Sequence, residues 1–262
     1  MKRLCVIGDP IEHSLSPQIH AQFAQQFDVQ IEYTKQHVTP DQLDGFLADF
    51  FQSGGLGLNV TVPHKQAVWE WCGTLTERAQ AAGAVNTLYL DHHQIIGDNT
   101  DGAGLVDDLN RLGVTLQDAS VLMLGAGGAA RGALLPLIEA GARVSIHNRT
   151  QSRAQELIDD LQAGRICQEG EGPFDLVISA SSAGLSAGGM SLSPHWFSRE
   201  TFAYDMIYAQ TDTPFIQAAK ACGARHCADG LGMLVGQAAR AFQRWFGELP
   251  ATQAVYSSLR SR

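Results

Sequence analysis

At 262 residues with 45% hydrophobic content, the chain can bury a large core, either as one big α/β domain or as two modest ones. A formal net charge of −9 without a concentrated basic stripe excludes general affinity for nucleic acid, and no run of about 18 apolar residues is present to cross a membrane. The apolar run after Met1-Lys2-Arg3 ends at Asp9-Pro10, too short for a signal peptide, so a cytoplasmic protein is expected. Cys5, Cys72, Cys167, Cys222 and Cys227 are odd in number and scattered, and read as reduced thiols. No histidine falls in an H-x-x-x-H or H-E-x-x-H pattern, so no metal is expected.

In chain order, residues 4–7 read as a strand, 17–27 as a helix, 31–38 as a strand and 41–51 as a helix, the βαβα rhythm of a parallel sheet. Residues 56–60 form the next expected strand, Pro63 opens a helix, and 84–90 and 94–97 follow as short strands. A second βαβ series starts with the strand 120–124, a helix over 128–140 and a strand over 142–147. Strands near 174–179, 202–204 and 224–226 and a helix over 213–221 complete a dinucleotide-binding layout. The Gly/Ser-rich stretch 181–193 reads as a loop. From 230 to 246 apolar residues recur at helical spacing, and a last helix runs to about 259, both returning to the first domain. The fold class is therefore α/β with two domains and a cleft between them. Residues 1–101 plus 237–262 form the first domain, and 102–236 a Rossmann-like domain of dinucleotide-binding layout.

The segment Gly125-Ala126-Gly127-Gly128-Ala129-Ala130 matches G-x-G-x-x-A directly after a strand and opening a helix. The first glycine permits the tight turn, the second lets backbone N–H groups approach a pyrophosphate, and the helix N-terminus favours its charge. The next strand ends at His147. There, an NAD enzyme places an acidic residue for the ribose hydroxyls, but this chain has Asn148-Arg149-Thr150-Gln-Ser-Arg153. Planar guanidiniums bind a phosphate dianion by several hydrogen bonds, so Arg149 and Arg153 point to NADPH over NADH.

With these pieces placed, the chain resembles the shikimate dehydrogenase family through separated motifs from residue 7 to 247. Ile7-Gly-Asp-Pro-Ile-Glu-His-Ser-Leu-Ser-Pro17 is similar to the family's serine loop, which implies that Ser14 and Ser16 bind the substrate carboxylate. Asn59-Val-Thr-Val-Pro-His-Lys65 resembles its catalytic motif, implying Lys65 as the proton-transfer residue and Thr61 as a substrate contact. Gly83-Ala-Val-Asn-Thr87 and Gly97-Asp-Asn-Thr-Asp-Gly102 imply Asn86 on substrate hydroxyls and Asp101 beside the lysine, with Lys65 and Asp101 both in loops at strand ends. Tyr204-Asp-Met-Ile-Tyr208 implies Tyr208 near the substrate and Met206 or Ile207 near the nicotinamide. Asp229-Gly-Leu-Gly-Met-Leu-Val-Gly-Gln237 implies Gly230 near the cofactor and Gln237 on a substrate hydroxyl. Glu77 matches a position the family sometimes places near the cofactor. One departure is Ser179-Ala-Ser-Ser-Ala-Gly184, where the family has N-A-T, so serines border the nicotinamide.

The implied reaction is the NADPH-dependent reversible reduction of 3-dehydroshikimate to shikimate, a step of chorismate and aromatic amino acid biosynthesis. A ketone reduction needs a hydride donor and a proton donor at the oxygen, and Lys65 supplies the second. Taken singly, Ser14 and Ser16 also suit a cap of the helix opening at Pro17, Asn86 a turn, and Gln237 a solvated helix face. Their joint spacing decides for the site. The expected partner is a small-molecule substrate, with neither nucleic acid nor membrane, and a homodimer is compatible with the sequence. The alternatives are a quinate/shikimate dehydrogenase of broader specificity, or a non-catalytic dinucleotide-binding sensor, which would have no reason to keep Lys65 and Asp101.

Overall fold

The computed structural model describes residues 1–180 and 192–261. The Gly/Ser-rich stretch up to residue 191, including the motif residues 181–184, lies outside the described residues. Two compact units are present, Met1–Gly104 with Val235–Arg262, and Leu105–Leu234.

In the first unit the chain runs through β1 (Lys2–Gly8), α1 (Ser16–Gln26), β2 (Ile31–His37), α2 (Leu43–Gln52), β3 (Gly57–Val60) and α3 (Lys65–Trp71). It continues with β4 (Thr74–Leu75), α4 (Glu77–Ala82), β5 (Thr87–Asp91), β6 (Gln94–Asp98) and the start of α5 (Asp101–Arg111). The strands order as β2-β1-β3-β5-β6-β4. Leu4, Cys5, Val6 and Ile7 of β1 are all buried, as a strand covered on both faces requires. The expected parallel rhythm holds for β1, β2 and β3, but β5 runs antiparallel to both β3 and β6. Its cause is local. His92 and His93 both sit at positive φ, 44° and 70°, in the tight turn that joins β5 to β6, and strands joined in this way must pair antiparallel. Pro63 does not open α3 either, because the chain makes a turn over 62–64 before the helix begins at Lys65.

The second unit holds β7 (Ser120–Leu124), α6 (Gly128–Glu139), β8 (Arg143–His147), α7 (Gln151–Leu161), β9 (Arg165–Ile166), β10 (Leu176–Ser179), β11 (Phe202–Asp205), α8 (Pro214–Ala221) and β12 (His226–Asp229). Its six strands are all parallel in the order β12-β11-β10-β7-β8-β9, the doubly wound arrangement whose direction reverses between β7 and β10. Val121, Met123, Ile146, Leu176 and Ile178 fill its core against Ala133, Leu134 and Leu137 of α6. The helix α9 (Leu231–Phe246) leads back to the first unit, where α10 (Gln253–Arg260) ends the chain. There, Trp245 and Ala241 cover Leu4 of β1.

Candidate active site

Lys65 is the first residue of α3, and its backbone is fixed from both sides. His64 is buried, with its Nε2 2.6 Å from the Val38 carbonyl, and the Val85 amide donates to the Lys65 carbonyl at 2.8 Å. Asp101 opens α5, where a carboxylate is favoured by the helix dipole, and its amide donates to Asn99 Oδ1 at 3.1 Å. Neither residue lies in a loop, contrary to the sequence expectation; each is the first residue of a helix and inherits that helix's rigidity. Lys65 Nζ donates to Asp101 Oδ2 at 2.7 Å, with the two side chains 30% and 19% exposed. The pair is thus shielded but open to a ligand.

Asn86 organises the other side. Its Nδ2 donates to Asp101 Oδ1 at 2.8 Å and lies 3.4 Å from Gln237 Oε1, while its Oδ1 accepts from the Thr100 amide at 2.9 Å. Gln237 arrives on α9, and Lys65, Asp101, Asn86 and Gln237 meet in one hydrogen-bonded group. Behind them Asp98 is fully buried and accepts from Thr76 Oγ1 at 2.7 Å, Arg78 Nε at 2.6 Å, Arg244 Nε at 2.8 Å and the Asn99 amide at 2.8 Å. Burial opposes its ionisation, but the bonds and charges of Arg78, Thr76 and Arg244 prevail and hold its carboxyl below the ordinary range. Sequence motifs do not assign Asp98, Arg78 or Arg244 to the site. Asp98 lies inside a quoted motif, but the two arginines come from α4 and α9 with no local signal.

Ser14 Oγ donates to Ser16 Oγ at 3.2 Å and accepts from the Ser16 amide at 3.3 Å. Neither caps α1, because its N-cap position is Leu15 and no side chain caps it. The loop before them is tied to β2: Lys35 Nζ donates to the Glu12 carbonyl at 2.5 Å, and His37 Nε2 lies 2.8 Å from Asp9 Oδ1. Thr61 follows β3, its amide bonded to the Ile7 carbonyl at 3.0 Å, and its methyl lies where a Cβ on Gly8 would meet it at 2.6 Å. Glu77 is exposed in the first turn of α4.

In the second unit, Gly125 has φ +119° at the end of β7, a conformation only glycine adopts readily, and its amide donates to the His147 carbonyl at 2.9 Å. Gly127 and Gly128 open α6 with nothing within 4 Å of where their Cβ atoms would be, and no side chain caps the helix. Such a bare N-terminus, flanked by Ala126 and Ala129, fits a pyrophosphate. Asn148 Nδ2 donates to the Thr150 carbonyl at 2.8 Å, shaping the turn into α7. Arg149 and Arg153 are exposed there, and neither forms an ion pair with a described residue. Ser179 ends β10 and its carbonyl accepts from the Met206 amide at 3.0 Å. A Cβ on Gly230 would stand 2.2 Å from the Met206 carbonyl, so only glycine lets these segments touch. Tyr208 is 40% exposed, and burial of its remainder pushes its phenol up. No group of three or more metal-ligating side chains occurs among the described residues.

Three family models match the chain: the shikimate dehydrogenase substrate binding domain over residues 6–88, the shikimate / quinate 5-dehydrogenase model over 108–184, and the shikimate 5'-dehydrogenase C-terminal domain over 230–260. The chain is 48% identical to the shikimate dehydrogenase (NADP(+)) of Bordetella avium, across 100% of this chain and 96% of the relative. An Ael1 enzyme from Pseudomonas putida has a crystal structure that superposes with a TM-score of 0.91 at 40% identity, covering 99% of this chain and 98% of that one. The shikimate 5-dehydrogenase of Thermus thermophilus, crystallised with NADP(H) and shikimate, superposes with a TM-score of 0.89 at 33% identity, covering 100% and 99%.

Proposed function

The chain belongs to the shikimate dehydrogenase family, and from that membership we propose that its first unit carries out the proton chemistry of ketone reduction through Lys65 and Asp101. The reaction is the NADPH-dependent reversible reduction of 3-dehydroshikimate to shikimate, in aromatic biosynthesis. When bound, NADPH supplies the hydride for the ketone carbon. Gly125, Ala126, Gly127, Gly128, Ala129, Asn148, Arg149, Thr150 and Arg153 of the second unit would hold the cofactor, with Met206 and Gly230 as further contacts.

Lys65 gives its proton to the carbonyl oxygen as negative charge develops there, so no free alkoxide forms. The carboxylate of Asp101, 2.7 Å away, holds the ammonium aimed, and the partly exposed side of Lys65 lets solvent return the proton. In the reverse direction the neutral amine takes the proton from the hydroxyl. Ser14 and Ser16 bind the substrate carboxylate, while Thr61, Asn86 and Gln237 of the same unit pair with its hydroxyls. A site lined with so many hydrogen-bonding groups disfavours analogues that lack a hydroxyl, since unpaired polar groups would be left behind.

The observation that carries this reading is the closed group Lys65, Asp101, Asn86 and Gln237, which a dinucleotide sensor would not need. NADPH oxidation followed at 340 nm (roughly the absorbance band of the reduced nicotinamide) with 3-dehydroshikimate tests it, and no turnover overturns it. The model matching residues 108–184 covers shikimate and quinate enzymes, which supports broader specificity as a second reading. Comparable kcat/KM on shikimate and quinate would favour it. No helix among the described residues is long and apolar enough to cross a membrane. Sedimentation would decide between monomer and homodimer.

A further inference from the structure

On the reading that Ser14 and Ser16 hold the substrate carboxylate, we propose that His20, Tyr33 and Asn59 are positioning residues that hold this carboxylate subsite in fixed register with the Lys65–Asp101 pair.

His20 lies four residues after Ser16 on α1, hence directly beneath it on the same helix face. It is fully buried. Its ring stacks on Tyr33 at 4.5 Å with only 13° between the planes, and Trp245 and Phe23 close it in at 5.0 and 5.9 Å. Asn59, within β3, uses its whole amide. Its Oδ1 accepts from Tyr33 Oη at 2.7 Å and from His20 Nε2 at 3.2 Å, and its Nδ2 donates to the Asn86 carbonyl at 3.2 Å and to Thr87 Oγ1 at 3.1 Å. Because Oδ1 can only accept, His20 carries its proton on Nε2.

From this hub the bonds run both ways. Towards the serines, the His20–Asn59 bond anchors α1 one turn below Ser16, and Ser14 Oγ donates to Ser16 Oγ. Towards the lysine, Thr87 Oγ1 donates to Asn86 Oδ1 at 2.9 Å, Asn86 donates to Asp101, and Asp101 holds Lys65. One turn of α1 and the hydrogen bonds from His20 through Asn59 and Asn86 to Asp101 therefore link the groups that would hold the carboxylate to the group that would protonate the ketone, all within the first unit.

His20 is a costly choice for mere packing. Its Nδ1 has no described hydrogen-bond partner, an unpaired buried acceptor that leucine would avoid at similar volume. Burial lowers its pKa to about 3, so the ring stays neutral and its N–H donation constant throughout the neutral pH range. What histidine adds over leucine is that donated bond, which prevents the Asn59 amide from flipping.

The test is steady-state kinetics on Tyr33→Phe, His20→Leu and His20→Gln, with 3-dehydroshikimate varied at saturating NADPH and Tm measured in parallel. Tyr33→Phe keeps the stacked ring and removes one hydroxyl, so it folds most readily. It is expected to lower kcat about tenfold through misplacement of the reacting groups, and to raise KM less. His20→Leu should do the same, with His20→Gln, which keeps an N–H, recovering most of the lost kcat. Unchanged kcat and KM in folded Tyr33→Phe, or a His20→Gln no better than His20→Leu at equal Tm, overturns the positioning role and leaves packing. Inactivity of the unmodified protein on 3-dehydroshikimate would instead overturn the functional reading on which this one rests.

Discussion

A Cβ on Gly104 would lie 2.4 Å from the backbone nitrogen of Gln237, so α5 and α9 cross there with no side chain between them. Gly236 meets the same crossing from the other helix, its own Cβ position being 2.8 Å from the Gly104 carbonyl. Asp101 sits three residues before the crossing and Gln237 at it. Gly104→Ala is therefore expected to push the helices apart, costing roughly 1–3 kcal/mol of stability by overpacking and raising KM for substrate. Calorimetry beside kinetics checks this. Wild-type Tm and KM in Gly104→Ala would show that the crossing has slack.

Lys65→Ala is expected to lower kcat by roughly 10²- to 10⁴-fold with a smaller change in substrate affinity, the usual range for a positioned acid or base. Lys65→Arg should fail as well, because arginine keeps the charge beside Asp101 but does not release a proton. Near-normal kcat in Lys65→Arg would reduce Lys65 to a binding charge.

Arg149 and Arg153 stand exposed after β8 where a ribose 2′-phosphate would be read. Arg149→Asp should lower kcat/KM for NADPH by about tenfold or more and narrow the preference over NADH, an acid now facing the phosphate. Measuring both cofactors on wild type and variant decides the matter. Equal use of the two by the unmodified protein would remove these arginines from cofactor choice.

Asp98 makes part of the stability pH-dependent. Its folded carboxyl titrates below the ordinary value of 3.8, so its contribution is fully present above that value and is lost as pH falls through the lower folded one. Arg78→Met leaves the buried carboxylate one fewer charged partner, with Arg244, Thr76 and the Asn99 amide still bonded to it, and should cost about 3 kcal/mol at neutral pH, the low end for breaking a buried pair. The difference from wild type should shrink as pH falls below about 4, where the carboxylates protonate. Denaturant titrations across pH 3 to 7 (roughly spanning carboxyl titration) test this, and a pH-independent difference would mean that Arg78 acts by packing alone.

Ser16→Ala separates binding from capping. With Leu15 at the N-cap of α1 and no side-chain cap there, the variant should raise KM with little change in Tm. A fall in stability of about 1 kcal/mol with normal KM would restore the capping explanation.

Local chemistry was enough to read much of this protein. The strand 120–124 agrees with β7 residue for residue, because a run of Val, Leu, Met and Leu ending at glycine has few other outcomes. The glycine turn after β7 is likewise a short segment whose spacing carries its conformation. The α5 helix went unseen, since Gly102 and Gly104 weaken its helical signal, though Leu105, Val106 and Leu109 recur at helical spacing. Strand direction was also hidden, because alternation of burial reads the same up or down a strand, and only the turn at His92 and His93 reverses β5 against β6. What depended wholly on tertiary structure was the support of the site. Arg244 reaches Asp98 across 146 positions and Gln237 reaches Asn86 across 151, separations over which no periodicity or propensity acts. Those contacts exist because a closed core leaves buried carboxyl and amide groups no water to bond with, so each must find its partner from whichever element the fold brings near.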